Sequence, residues 1–326
     1  MNRVTLYGVT FGLTNTVIAS HAVALPDGGP DHFQLGGIPR TQLIVRHSNT
    51  MARNASPTLS IVIPARNEAR NLEVVLPQLP AEHEIILVDG SSVDDTIVTT
   101  QRLRPDARIV QQTRKGKGNA LACGFLAATR DIIVMFDADG SADPAEIPAF
   151  VDALVNGADF AKGTRFHRES NELSGSEDIT RLRTAGNSVL NGLSNLLFRT
   201  SFTDLCYGYN AFWRDVVPVL DLPSPELRGP DGEMIWCDGF EIETVISCRV
   251  VAAGLKIAEV PSLERSRIHG ETNLRTFVDG YRVLRTIMAE RGRAQGMRKD
   301  QQAKAQSRLL VGNEGQRGVM LPEKSR

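Results

Sequence analysis

Asp131-Ile132-Ile133-Val134-Met135-Phe136-Asp137-Ala138-Asp139-Gly140-Ser141-Ala142-Asp143-Pro144 is the stretch on which the reading of this chain turns. Ile132 to Phe136 is a short unbroken apolar run, the pattern of a strand buried on both faces of a mostly parallel sheet. Gly140 lets the backbone turn, and Asp143 followed by Pro144 reads as the cap and first residue of a helix. Asp137 and Asp139 therefore stand just past a buried strand, at the edge where open α/β sheets bind ligands. Two carboxylates spaced i, i+2 repel each other there unless a cation sits between them. A hard divalent ion, Mg²⁺ or Mn²⁺, meets that need, with water and substrate phosphate filling its remaining positions. Read alone, Asp-Ala-Asp-Gly also fits an ordinary turn after a strand.

Outward from this stretch, strands and helices alternate. Residues 59–63, 84–88 and 107–111 read as strands, with helices starting near Glu68, following Thr96 and spanning 119–129. This order predicts an α/β fold, a doubly wound, mostly parallel sheet flanked by helices in a single catalytic domain. The polar loops behind the strands then converge on one edge. Asp89 either faces that crevice, accepting hydrogen bonds from a ribose or base, or caps the helix behind Ser91. Lys115-Gly116-Lys117-Gly118 is basic and opens a helix, so its backbone N–H groups and lysines suit a phosphate, although the Walker A pattern is absent.

Composition narrows the classes. With 326 residues, 41% hydrophobic and 23% charged, the chain is globular. A net charge of −1 gives no overall electrostatic attraction to nucleic acid or to an anionic membrane. The four cysteines lack Cys-x-x-Cys spacing and read as reduced and structural. No apolar run approaches the roughly 20 residues that span a bilayer. Residues 1–57 read as a loosely attached leader. Its first 25 residues superficially match a secretory signal ending in Ala22-Val23-Ala24, but Thr10, Thr14, Asn15, Thr16 and Ser20 interrupt the apolar run. Residues 58–291 form the catalytic domain, with a nucleotide-binding half at 58–143 and an acceptor half at 144–291. Residues 292–326 read as a polar, disordered tail.

The ordered set Pro64-Ala65-Arg66-Asn67-Glu68, Val88-Asp89-Gly90-Ser91-Ser92-Val93-Asp94-Asp95-Thr96, Gly116-Lys117-Gly118-Asn119-Ala120-Leu121 and Asp137-Ala138-Asp139 resembles the family-two glycosyltransferases, which have a GT-A fold. The likeness is strongest to their dolichyl- or polyprenyl-phosphate mannose and glucose synthase branch and runs over about residues 59–290. It implies that Pro64, Ala65, Asn67, Glu68 and Asp89 line the base and ribose pocket. Lys117 then lies beside the nucleotide, Asp137 and Asp139 hold metal and diphosphate, and Ala138 meets the nucleotide through its backbone. Gly90 stands where many relatives carry a further aspartate, which bears on sugar-nucleotide preference.

In the second half, Gly163-Thr164-Arg165 is similar to the Gly-Ser/Thr-Arg element of these synthases. Arg165 reads either as a phosphate ligand or as a surface arginine with a local acid. Residues 166–179 are polar and suit a lid. Residues 181–198 form an amphipathic helix whose stripe of Leu182, Ala185, Val189, Leu190, Leu193, Leu196 and Leu197 serves core packing or a membrane surface. The segment from Thr203 to Phe212 resembles the family's Asp-x-x-x-Gly-Tyr/Phe element, so Asp204 and Gly208 are expected to shape the acceptor pocket. Asp238-Gly239-Phe240-Glu241-Ile242-Glu243 opens the next helix. An inverting transfer to a hydroxyl needs a base, for which Asp238 and Glu241 are the candidates and Glu243, on another angular face, is not. A phosphate acceptor needs none. The segment from Glu264 to Arg275 resembles the element that closes over the donor diphosphate. Arg267, His269 and Arg275 are its matching cations, with Thr272-Asn273 where the family has Ser-Lys. His269 is either a third metal ligand or a packed loop histidine.

The expected activity is inverting, metal-dependent transfer of a hexose from a nucleotide-diphosphate sugar, GDP-mannose or UDP-glucose in type, to polyprenyl phosphate. A soluble enzyme acting on a small metabolite or phosphorylated acid is the alternative. A nucleotidyltransferase would want a Gly-rich loop where Pro64-Ala65-Arg66-Asn67-Glu68 stands, and a non-catalytic nucleotide-binding module remains a further reading. Such an enzyme is expected in the cytoplasm, with peripheral contact at the inner membrane face and no nucleic-acid partner.

Overall fold

Three apolar runs carry the centre of the sheet: β1 (Leu59–Ala65), β2 (Glu84–Asp89) and β4 (Ile132–Met135). All four residues of β4 are buried, which requires cover on both faces. The computed structural model describes residues 53–166, 175–176, 181–229, 233–270 and 276–317. All of these fall within the compact unit Leu43–Arg326. The leader up to residue 52, most of the 166–179 segment, Arg275 and the chain end past 317 lie outside the described residues.

The remaining strands are β3 (Arg108–Gln111), β5 (Phe160–Thr164), β7 (Asn210–Trp213) and β8 (Ile257–Pro261). They complete a seven-stranded sheet in the order β3-β2-β1-β4-β7-β5-β8. Every pairing is parallel except those of β7, which runs antiparallel to β4 and β5. The two-residue strands β6 (Gly175–Ser176) and β9 (Leu263–Glu264) pair separately.

The helices are α1 (Ala69–Val75), α2 (Thr96–Leu103), α3 (Lys117–Ala127), α4 (Ile147–Val155), α5 (Arg181–Phe198), α6 (Val217–Leu220), α7 (Ile242–Ala252) and α8 (Thr276–Arg317). The turn after β4 forms as its sequence dictates. Asp143 accepts a hydrogen bond from Ala145 N at 3.0 Å, and Pro144 opens a short 3₁₀ turn leading into α4.

α3 presses directly on the sheet. A Cβ at Gly124 would lie 2.3 Å from Val62 Cγ1, so only glycine admits this approach. A second apolar cluster of Phe198, Phe202, Leu205, Cys248, Ile287 and Ala294 joins α5, α7 and α8. Leu190, Leu193 and Leu197 of the α5 stripe pack onto it, whereas Val189 and Leu196 are exposed. The final helix continues to Arg317, well into the segment from residue 292 that reads in sequence as a polar tail. Gly292 and Gly296 each cost about 1 kcal/mol there, but the surrounding Ala, Arg, Gln, Met and Lys are strong helix formers.

Candidate active site

Parallel strands deliver their C-terminal ends to one edge of the sheet, and antiparallel β7 delivers its N-terminal end to the same edge. A cleft of about 700 Å³ opens there. Pro64, Ala65, Glu68, Lys117, Asp137, Ala138 and Asp139 line it from the first half of the chain, and Arg165, Gly208 and Arg267 from the second.

At its centre, charges interlock. Lys117 Nζ lies 2.7 Å from Asp137 Oδ1 and 2.8 Å from Glu243 Oε1. Arg267 pairs with Glu68 and reaches Asp139 Oδ2 at 3.4 Å. Asp139 is oriented by Ser141, whose N and Oγ donate to its Oδ1 at 3.0 and 2.7 Å. Burial alone would lower the Lys117 pKa, but the Asp137 and Glu243 carboxylates raise it above its ordinary value, so this lysine is charged. Burial raises the Asp137 pKa, with the charges of Asp139 and Glu243 acting in the same direction and Lys117 against them. A Cβ at Gly208 would stand 3.3 Å from Lys117 Nζ and 3.4 Å from both Asp137 Oδ2 and Glu243 Oε1. Glycine thus keeps the middle of the cluster open.

Asp137 and Asp139 are both partly open to the cleft, with side chains 35% and 24% exposed. Such a pair fits a hard divalent ion that draws its other ligands from phosphate and water. His269 does not complete a triad. Its backbone is bound by Asn71, and among the described residues no three His, Cys, Asp or Glu side chains converge as a metal cluster.

The two expected bases are also placed elsewhere. Asp238 is buried and holds Arg114 with both oxygens, at 2.7 and 2.8 Å, while also accepting from Ile235 N at 2.9 Å. Its carbonyl takes the N–H groups of Gly118 and Asn119 at 2.7 and 3.3 Å. Those are the second and third amides of α3, so two of the opening N–H groups of the helix are already taken, while Gly116 and Lys117 line the cleft. Glu241 accepts from the N–H groups of Cys237 and Gly239 at 3.1 and 3.2 Å. Neither acid lines the cleft, but Glu243 does. Counting angular faces from Asp238 misplaced it, because α7 begins at Ile242.

Asn67, which is exposed, and Asp89, which is buried, are not among the residues lining the cleft and tie its loops together. Asn67 accepts from Val93 N at 2.8 Å and donates its own N–H to Ser92 Oγ at 2.9 Å. Asp89 accepts from Ser92 N at 3.2 Å and from Gln111 Nε2 at 3.1 Å. Ahead of α2, Asp94 takes Thr96 N at 3.1 Å, while Asp95 at the N-cap position makes no side-chain cap bond. On the acceptor side, Arg165 is gripped by Asp204 at 2.7 and 3.0 Å and by Glu264 at 2.8 Å, with its guanidinium over the Tyr207 ring. Asp204 is 1% exposed, so it orients Arg165 and does not itself face the cleft.

Residues 60–219 match the family described as glycosyl transferase family 2. This chain carries a family 2 glycosyltransferase domain. The match ends just beyond β7 and contains Lys117, Asp137, Asp139 and Arg165 but not Glu243 or Arg267. The chain is 40% identical over 111 residues to an uncharacterized glycosyltransferase of Mycobacterium tuberculosis, covering 34% of this chain and 50% of that relative. It therefore spans half the length of that relative. A dolichyl-phosphate hexose transferase of Haloferax volcanii is 27% identical over 234 residues, 71% of this chain and 92% of the relative. Among solved structures, glucosyl-3-phosphoglycerate synthase from Mycobacterium tuberculosis, in complex with Mn²⁺, UDP-glucose and phosphoglyceric acid, superposes with a TM-score of 0.54. That match has 22% identity and covers 74% of this chain and 82% of the other, and it supports the GT-A fold of the family 2 domain. Among the described residues no helix is long and apolar enough to cross a membrane.

Proposed function

We propose that this protein transfers a hexose, with inversion, from a nucleoside-diphosphate sugar of the GDP-mannose or UDP-glucose type to the phosphate of a polyprenyl phosphate. The observation that carries this reading is one cleft holding the Asp137/Asp139 pair, the cations Lys117 and Arg267, and Arg165 on the acceptor side. Pro64, Ala65 and Ala138 supply the wall for the nucleotide, and Asn67 and Asp89 hold that wall in shape. A bound Mg²⁺ or Mn²⁺ on Asp137 and Asp139 supplies charge stabilisation to the departing diphosphate. Lys117 and Arg267 stabilise the same developing charge through preorganised donors. Arg165 orients the acceptor phosphate, whose oxygen is anionic at neutral pH and needs no strong base to attack the anomeric carbon.

Leu190, Phe240 and Val283 line the acceptor end and suit an apolar tail. Val189 and Leu196 of α5 and Tyr281 and Met288 of α8 are exposed and suit peripheral contact with the inner face of the cytoplasmic membrane. The Haloferax relative's acceptor class points the same way. A phosphorylated small acid is the second reading, favoured by the fold shared with the phosphoglycerate-bound synthase.

The test incubates the protein with Mn²⁺, labelled GDP-mannose or UDP-glucose, and either polyprenyl phosphate or 3-phosphoglycerate, then partitions products between organic and aqueous phases. Label in the organic phase, abolished in Asp139→Ala, is the expected result. Label appearing only in an aqueous phosphoglycerate product selects the second reading. No transfer with any pair sinks both.

A further inference from the structure

Lys117 and Arg267 share an arrangement that the donor reading does not require. Each touches one carboxylate of the aspartate pair and one glutamate from a distant part of the chain. Lys117 bridges Asp137 at 2.7 Å and Glu243 at 2.8 Å, and Arg267 bridges Asp139 at 3.4 Å and Glu68. Four carboxylates face two cations, leaving two negative charges, which one divalent cation balances. The glutamates sit deeper than the aspartates, with side chains 9% and 12% exposed. A lysine or arginine held by an aspartate alone would be expelled when a dication arrived, because like charges would then share one ligand. With a second carboxylate behind it, the side chain is retained.

We infer that Glu243 and Glu68 are positioning residues that keep Lys117 and Arg267 in the cleft when a divalent cation takes Asp137 and Asp139. The two side chains that neutralise the aspartates in the ligand-free protein are thereby released toward the donor diphosphate without leaving the site. This rests on reading the cleft as a nucleoside-diphosphate site. It gives Glu243 a task distinct from that of a general base, since its nearest oxygen is committed to Lys117.

The experiment measures binding of Mn²⁺ alone, by the electron paramagnetic resonance signal of the free ion, to wild type, Glu243→Gln, Lys117→Met and the double variant. Removing Glu243 leaves Lys117 with Asp137 as its carboxylate partner and strengthens its competition with the ion. Glu243→Gln is expected to weaken Mn²⁺ binding about tenfold, the low end for loss of a group that supports metal ligands. Lys117→Met tightens binding, and in its background Glu243→Gln changes affinity by less than about twofold, because the two residues act as one unit. Glu243→Asp, which keeps the charge, restores most of the loss. Thermal melts run alongside, and if Glu243→Gln is unfolded, Glu68→Gln with Arg267→Met carries the same cycle. Wild-type affinity in both glutamine variants, or an effect undiminished without Lys117, overturns the positioning role while Mn²⁺-dependent UDP or GDP binding leaves the donor reading standing. Failure of wild type to bind Mn²⁺ with either nucleotide overturns both.

Discussion

At the scale of single residues, Gly208 is the most exacting position. Its missing side chain leaves room among three charged atoms that a methyl group would meet at 3.3 to 3.4 Å. Gly208→Ala is expected to cut kcat/KM by roughly tenfold to a hundredfold through displacement of Lys117 and Asp137, with an unchanged melting temperature. Asp238 should behave in the opposite way. Its pair with Arg114 is almost entirely buried, so Asp238→Asn leaves a buried guanidinium without its counter-charge, at a cost of about 3 to 5 kcal/mol. Urea denaturation reads that loss directly, whereas a catalytic base would lower turnover and leave the urea midpoint in place. Cys206 lines the cleft, and burial, then the Asp204 charge, push its thiol up to about 11. Iodoacetamide should therefore alkylate it slowly at neutral pH and faster as pH rises toward that value. The place of the Asp137/Asp139 pair at the cleft was legible in sequence because it is set locally, by two acids at the end of an apolar run. The fate of Asp238 was not, since Arg114 lies 124 positions away and nothing near either residue announces the other.

At the scale of elements, β1, β2 and β4 were legible because strands buried on both faces read as continuous apolar runs. β7 was not, because Asn210-Ala211-Phe212-Trp213 is short and follows a stretch rich in Tyr and Gly, and its direction is set by the neighbours it pairs with. Glu84, the first residue of β2, ties three elements together. Its carboxylate accepts from Ser60 Oγ on β1 and from Thr129 N and Oγ1, at 3.0 and 2.8 Å, ahead of β4. Burial would raise its pKa, but these hydrogen bonds together bring it below the ordinary 4.5. The stabilisation is therefore fully present above that ordinary value and lost as pH falls through the lower, folded one. Melting temperature followed across the acid range should fall more steeply in wild type than in Glu84→Gln. α8 is moored to α7 by Arg249 and Glu290, side chains 5% and 2% exposed, with contacts of 3.0 and 2.9 Å. No charge pattern in the sequence pairs those two positions.

At the scale of the molecule, the cleft joins residues from both halves of the chain, so a ligand spanning it should stiffen the whole unit. A nucleoside diphosphate with Mn²⁺ at a hundredfold excess over its Kd is expected to add about 2.7 kcal/mol to the unfolding free energy. Differential scanning with UDP and GDP would identify the preferred base from the larger shift. The position of β7 bears on how the molecule comes into being. A chain growing from its N-terminus completes β3-β2-β1-β4 well before Trp213 has been added, and β5, though already made, reaches β4 only through β7. At synthesis rates of about 5 to 20 residues per second, β4 stands as an uncovered apolar edge for roughly four to sixteen seconds. An edge of that kind pairs with any strand it meets, including one from another nascent chain. Recombinant yield should accordingly depend on what shields the ribosome-bound intermediate, and a fragment stopped before Asn210 should precipitate.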